Sequence, residues 1–432
     1  MSNQRVHLQK GTSYKVEGPI SIRLIEGSLS VLGKPIKVKE TLTVPSSKAL
    51  PLEVIEDSIV ELKAGPDAKL EPLPSPTIPR EWYVLADKLV SWGSPCRVMI
   101  FGDVDSGKTT LCTYLANRLV EAGLKVGVLD CDPGQAEVFM PTTISLGLVK
   151  GYITGLDKTV LHRSFFIGST SPSGFVDRVV AGAKALLEEA INEGLDAVII
   201  NTSGWTTGRG ARLLKSGLLC ALKPSHLVLL QRATEVEHLV KPYAAVHGVE
   251  VFRVPVSSSI KTRSREERRV KRELAYKGYF AKSKIRKFSL DVTGLMYTLF
   301  NTGFIMNDAR RSEVEDLLNV EVLYGEEGPD FVFVVTNRPV PNIQEASTKL
   351  KEALGKEEAL VIHKGAEKGL MVGLLDENSV LMGLGLIEEI DYEERTISVL
   401  TPVEGRVSII QVGQLKLDEE GREIVKLEGW PL

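Results

Sequence analysis

Apolar and polar positions alternate in short runs over the first seventy residues, as in Ile20-Ser21-Ile22-Arg23-Leu24 and Leu29-Ser30-Val31-Leu32, with Gly18, Gly27 and Gly33 as punctuation. A period of two predicts strands of a half-buried sheet, so residues 1–71 read as an all-β module of sandwich or jelly-roll type. Pro72, Pro74, Pro76 and Pro79 then make 72–80 a stiff connector.

From Glu81 the pattern changes. Compact apolar runs at Val98–Phe101, Lys125–Leu129, Ala197–Ile200, Leu227–Leu230 and Val249–Val254 are separated by longer helical stretches, among them Phe175–Glu193 and Gly208–Leu222. Strands alternating with helices predict an α/β domain with a parallel sheet over 81–288. Residues 289–432 favour strands again, such as Phe331–Val335 and Arg395–Leu400, with a helix expected at Ile343–Leu354. The fold class is therefore multidomain: a central α/β domain between an N-terminal all-β module and a C-terminal β-rich α+β domain with an accessory role.

In a parallel α/β sheet, ligands sit at the carboxyl ends of the strands. The run Arg97-Val98-Met99-Ile100-Phe101 delivers Gly102-Asp103-Val104-Asp105-Ser106-Gly107-Lys108-Thr109-Thr110, followed by a helical stretch from Leu111. This satisfies G-x-x-x-x-G-K-[ST] in its strand–loop–helix context, which identifies a phosphate-binding loop of the P-loop NTPase type. Its glycines let successive backbone N–H groups converge on phosphate oxygens at the positive end of a helix. Lys108 is placed to reach the β- and γ-phosphates, and Thr109 to offer its hydroxyl to Mg²⁺. The chain is expected to bind a nucleoside triphosphate.

The next strand ends in Asp130-Cys131-Asp132-Pro133-Gly134-Gln135. Two carboxylates two residues apart suit phosphoryl transfer: one holds the metal or its water, the other takes a proton from an attacking hydroxyl. A third strand ends in Asn201-Thr202-Ser203-Gly204-Trp205, where the indole is either a packing residue or a stacking platform for a base. The turn Gly168-Ser169-Thr170-Ser171-Pro172-Ser173-Gly174 reads by itself as a polar loop opening a helix. No Asn-Lys-x-Asp occurs, and Gln231-Arg232-Ala233-Thr234 stands where that guanine reader would lie, which argues against a GTPase.

Composition changes the picture in one place. The 432 residues carry a net charge of −3, 43% hydrophobic and 25% charged residues, ordinary values for a globular chain. Within 261–287, however, twelve lysines and arginines face three glutamates, a local net of +9. Such a run is commonly a solvated helix face, but beside a phosphate loop it points to phosphate or polyanion contact. There is no signal-peptide core and no apolar run of membrane-spanning length, so no membrane partner is expected. Cys96, Cys112, Cys131 and Cys220 show no C-x-x-C spacing, and a cytoplasmic protein is the simplest reading.

Taken together, these segments resemble the polynucleotide 5′-hydroxyl kinase family, which includes the kinase subunit of the mRNA cleavage factor, the nucleolar rRNA-processing kinases and archaeal homologues. The resemblance rests on the phosphate loop, Leu129-Asp130-Cys131-Asp132-Pro133-Gly134-Gln135, Thr170-Ser171-Pro172, Asn201-Thr202-Ser203-Gly204-Trp205 and the arginine-rich segment, in the family's order. It implies ATP as phosphate donor, bound along residues 102–110, and Mg²⁺ (or a substituting divalent metal) at Thr109 and Asp130. It implies Asp132 as general base, with Gln135, Thr170, Ser171, Pro172 and Trp205 meeting the acceptor. The 261–287 segment would be a lid over the γ-phosphate. Arg265, Arg268, Arg269 and Arg272 are all in register for this; Arg268 and Arg272 are the preferred pair, catalytic together with Lys108. The acceptor would be the 5′-hydroxyl end of RNA, DNA or both, with RNA-processing proteins as partners.

Two other readings compete. A non-catalytic, ATP-binding scaffold of an RNA-processing assembly would need no base, against which the intact Lys108, Asp132, Gln135 and Trp205 argue. An ATPase of the deviant P-loop type would need a second lysine at the loop start, where Asp103 and Val104 stand.

Overall fold

The computed structural model describes residues 4–46, 48–74, 76–243, 248–258, 260 and 262–432. Lys261, the first cation of the basic segment, lies outside the described residues. The chain divides into two compact units, one of residues 1–165 and 171–271, the other of 166–170 and 272–432. The boundary falls inside the helix Arg265–Phe280.

The first unit opens with a seven-stranded sheet. Two segments that read as separate short strands are one: Ile20–Val31 continues through Gly27, with its register shifting between Leu24 and Glu26 and again between Glu26 and Ser28. Bulges of this kind bend a strand instead of ending it, which is why a glycine there misleads. Its long partner, Ala49–Ala64, pairs with Ser13–Glu17 along one half and with Gln4–Leu8 along the other. The edge strand Lys69–Leu73 runs into the proline-rich stretch, and Pro72 is tolerated because an edge strand leaves one side unpaired.

The second sheet has the order Val160–Phe166, Thr143–Val149, Val126–Cys131, Ala197–Thr202, Cys96–Gly102, His226–Gln231, Glu250–Pro255. The last five are the strands the apolar runs predicted, and their pairings are parallel. The sheet is nevertheless mixed: Thr143–Val149 runs antiparallel to Val126–Cys131. No crossover helix separates these two strands, so the chain reverses, and parallel pairing has nothing to build it. Four of the five are buried throughout or nearly so, the edge strand Glu250–Pro255 burying only Val254, and Leu111, Leu115 and Leu119 of the helix Lys108–Glu121 enter the same core. That core also takes in Leu24, Val31 and Val60 of the first sheet. Asn117 of that helix holds the turn after Ile20–Val31 and the segment after Thr143–Val149, its Nδ2 donating to the carbonyls of Leu32 and Ile153 at 2.8 Å each.

The second unit contains a seven-stranded sheet from Lys284–Ser289 onward and a four-stranded sheet, with the helices Asp308–Leu318 and Ile343–Leu354. Both helices start at an asparagine whose side chain caps them, Asn307 and Asn342. The sequence pattern had indicated only the second. The first carries a single fully buried residue, Val314, and too narrow an apolar stripe to stand out. Among the described residues no helix is long and apolar enough to cross a membrane.

Candidate active site

Register places the informative strand ends side by side. Asn201 pairs with Ile100 on one flank and with Asp130 on the other, so the segments that follow emerge together at one edge of the sheet.

The phosphate loop leaves the Cys96–Gly102 strand and enters the helix at Lys108, with Lys108, Thr109 and Thr110 in its first turn. Gly107, at φ +90°, takes the left-handed conformation that closes the loop, and Asp105 shares that region at φ +53°. Val104 is exposed and Ser106 buried. Lys108 folds back over the loop, its Nζ donating to the carbonyls of Gly102 (3.0 Å) and Asp103 (2.8 Å). Burial lowers its pKa, and Asp132 is the charge that most opposes this. Thr206 Oγ1 donates to Asp103 Oδ1 at 3.2 Å, joining the loop to the third strand end. Gly204 packs so closely on Val104 that a β-carbon there would lie 2.8 Å from its Cα.

The two carboxylates differ in setting. Asp130 is buried and accepts from Asn201 Nδ2 (2.9 Å) and from the Glu137 amide (2.8 Å). Burial pushes its pKa up to about 7, with those hydrogen bonds pulling the other way. Asp132 is half-buried, and its Oδ1 accepts from the amides of Gly134 (3.0 Å) and Gln135 (3.2 Å), a local turn that fixes the carboxylate and leaves Oδ2 without a hydrogen bond among the described residues. Gln135 lies in that turn, its Nε2 donating to the Gly134 carbonyl.

Trp205 is half-buried, and the edge of its ring lies against Gly210, where a β-carbon would meet Cη2 at 2.3 Å. Pro172 accepts from the Phe175 amide at the start of the helix Val176–Asn192. Ser171 and Pro172 belong to the first unit and Thr170 to the second.

The basic segment forms a helix because Ser264 and Glu267 cap it reciprocally: the Glu267 amide donates to Ser264 Oγ and the Ser264 amide to Glu267 Oε2. Arg268 Nη2 donates to Asp105 Oδ2 at 2.6 Å, and the Arg263 amide donates to the same oxygen at 3.1 Å. Lys271 pairs with Glu137, the residue whose amide holds Asp130. Arg272 belongs to the second unit, where its guanidinium clasps Glu423 through Nε (2.5 Å) and Nη2 (2.8 Å). Of the preferred pair, the structure thus brings Arg268 to the phosphate loop and commits Arg272 to a carboxylate.

Four contributors were not singled out from the sequence. Asn201 orients Asp130, Thr206 holds Asp103, and Arg232 reaches the Asp105 carbonyl at 3.2 Å. Lys215 lies fully buried behind the strand ends. Asn201, in the strand end before Trp205, and Arg232, in the Gln231–Thr234 quartet, stand in segments that the sequence does mark, whereas Thr206 and Lys215 carry no such signal. Among the described residues Ser106 Oγ, Asn201 Oδ1 and Ser203 Oγ are buried without a hydrogen-bond partner, as expected of a place built to hold a polar ligand.

The chain is similar to several known proteins. Residues 102–282 match the family model of the mRNA cleavage and polyadenylation factor CLP1 P-loop. The chain is 32% identical over 353 residues to a polyribonucleotide 5′-hydroxyl-kinase of Pyrococcus abyssi, covering 81% of this chain and 96% of that one. It is 30% identical to a protein of the same name from Methanocaldococcus jannaschii, covering 81% and 95%. The solved wild-type Clp1p–Pcf11p complex superposes on 96% of this chain and 98% of that one with a TM-score of 0.62; at 13% identity this is a likeness of fold.

Proposed function

The chain belongs to the polynucleotide 5′-hydroxyl kinase family with the CLP1-type P-loop domain, and from that premise we propose that it transfers the γ-phosphoryl group of ATP to the 5′-hydroxyl end of RNA. The observation that carries the reading is the setting of Lys108: the loop lysine folds back over the phosphate loop, and the charge that most favours its protonated form is Asp132, a carboxylate with an unengaged oxygen that follows the strand on the far side of Ala197–Thr202.

In this mechanism the amides of residues 102–110 cradle the triphosphate and Lys108 turns from the Gly102 and Asp103 carbonyls to the β/γ-phosphate oxygens. Asp132, steadied at Oδ1, accepts the proton of the attacking hydroxyl at Oδ2 while Gln135 orients the acceptor. Trp205 stacks on the terminal base, and the Thr170-Ser171-Pro172 turn grips the end of the strand. Arg268 spreads cationic charge over the transferring group, whose loose transition state asks for positioning and charge more than for covalent chemistry. Arg272 takes part only if it leaves Glu423.

Thr109 and Asp130 fit a hard divalent cation such as Mg²⁺. Both offer oxygen, the Thr109 hydroxyl has no hydrogen bond among the described residues, and Asn201 steers the carboxylate. Among the described residues no cluster of three or more His, Cys, Asp or Glu forms a protein-only cage, in keeping with a cation shared with phosphates. Held by Thr109 and Asp130, the cation would supply positive charge that neutralises the charge developing on the transferring group.

We further take residues 1–71, 81–288 and 289–432 as the module, kinase and accessory regions, DNA as a second acceptor, and RNA-processing proteins as partners. The scaffold reading is not favoured, because relatives matched over most of the chain carry kinase names. The test is transfer of labelled γ-phosphate to 5′-hydroxyl RNA and DNA oligonucleotides, with a 5′-phosphorylated control. Label confined to hydroxyl-ended acceptors supports the reading; ATP bound but no label transferred overturns it.

A further inference from the structure

Lys215 sits in the helix Gly208–Leu222 on the apolar stripe formed by Ala211, Leu214, Leu218 and Leu222, and it is 0% exposed. A lysine is among the least suitable residues for such a place, since taking an ammonium out of water is costly unless it is paired. Among the described residues no carboxylate hydrogen-bonds it. Its Nζ instead donates to Thr202 Oγ1 (2.8 Å) and to the Ser203 carbonyl (2.6 Å), and lies 5.1 Å from the centre of the Phe101 ring.

Packing alone does not call for this charge. A methionine would fill the stripe, and Thr202 is already satisfied by donating to the Ile100 carbonyl at 2.7 Å. What only the ammonium supplies is a donor to the Ser203 carbonyl. The next peptide leads into Gly204, pressed against Val104 of the phosphate loop, then Trp205, and then Thr206, bonded to Asp103.

Resting on the kinase reading, we propose that Lys215 is a positioning residue of the transfer reaction: its buried Nζ, donating to Thr202 Oγ1 and the Ser203 carbonyl, pins the Thr202–Ser203 strand end and so fixes the Gly204–Thr206 turn, which carries Trp205, against the phosphate loop. Acceptor and donor are then held in one geometry. The charge environment supports this. Beyond burial, Lys108 repels the ammonium, while Asp132 and Cys131 favour it, so Lys215 lies within the field of the groups that do the chemistry.

The test compares Lys215→Met and Thr202→Val with wild type in the full chain, measuring melting temperature, ATP affinity, kcat and acceptor KM. For Lys215→Met we expect a melting temperature no lower than wild type and ATP affinity within about threefold. Its kcat should fall at least tenfold, or its acceptor KM rise correspondingly, because misplacement of about 1 Å is costly to transfer. Thr202→Val keeps the charge, removes one of its acceptors and should shift kcat or acceptor KM in the same direction by less. Wild-type kcat and acceptor KM in a folded Lys215→Met overturn the proposal. If that variant does not fold, wild-type kinetics in Thr202→Val overturn it. Absence of transfer by the wild type itself overturns the kinase reading instead.

Discussion

Arg268 donates from Nη2 to Oδ2 of Asp105 across 2.6 Å, so the tip of the phosphate loop holds the guanidinium of the helix that follows it in the basic segment. The same oxygen accepts from the Arg263 amide, and Ile260 lies against Gly107, where a β-carbon would be 2.4 Å from its Cδ1. This stretch therefore lies on the loop through three contacts, and Asp105 aims the arginine. Removing the guanidinium in Arg268→Ala should lower kcat by about 10²–10³. Asp105→Asn should lower it by roughly tenfold, the scale of one charge-assisted hydrogen bond. Melting temperatures should move little. A double-mutant cycle on kcat reads the coupling, and strict additivity would separate the two residues.

Lys108→Ala removes the cation that the loop folds around the phosphates. Transfer should become undetectable while the circular-dichroism spectrum stays that of the wild type, because among the described residues the Lys108 side chain hydrogen-bonds only the loop carbonyls of Gly102 and Asp103.

Asp132→Asn keeps the turn acceptor for the Gly134 and Gln135 amides but cannot take a proton. The expected loss in kcat is about 10²–10⁴, with ATP affinity near normal by equilibrium titration. Turnover equal to wild type would move the base to another residue.

Trp205→Ala discriminates stacking from packing. Loss of one base stack should raise acceptor KM by about tenfold to a hundredfold, with ATP KM and melting temperature little changed. An unchanged acceptor KM with a lowered melting temperature would return the indole to the core.

Lys215 gives stability a pH dependence of known sign. Its pKa is lowered from 10.5 to about 7 by burial and by the repulsion of Lys108. Between those values the unfolded chain binds a proton that the folded chain does not, so stability rises with pH across that window. Below about 7 both states are protonated and the whole cost of the buried charge stands. The melting temperature of nucleotide-free Lys215→Met should therefore exceed that of the wild type most near neutrality. Its advantage should shrink as pH rises toward 10, which differential scanning calorimetry across that range checks.

Local sequence determined the parts of this protein whose geometry is contained in a few consecutive residues. The loop from Gly102 to Thr109 needs a left-handed Gly107 and a helix start at Lys108; Asp132 is held by the amides of its own turn. Five strand runs are apolar enough to declare themselves, and Ile343–Leu354 carries its own cap and stripe. Tertiary structure decided what depends on residues far apart in the chain. Four arginines share one helix in register, and it is Asp105, far back in the loop, that draws Arg268, while Glu423 takes Arg272. Asp130 and Asp132 look alike in sequence, but Asn201 from the adjacent strand holds one of them in the interior. Lys215 reads as an ordinary helix lysine, because nothing near it in the chain reveals that the Ser203 carbonyl waits at the end of its reach. A long side chain goes where distant partners offer it a hydrogen bond, and only the assembled sheet brings those partners within range.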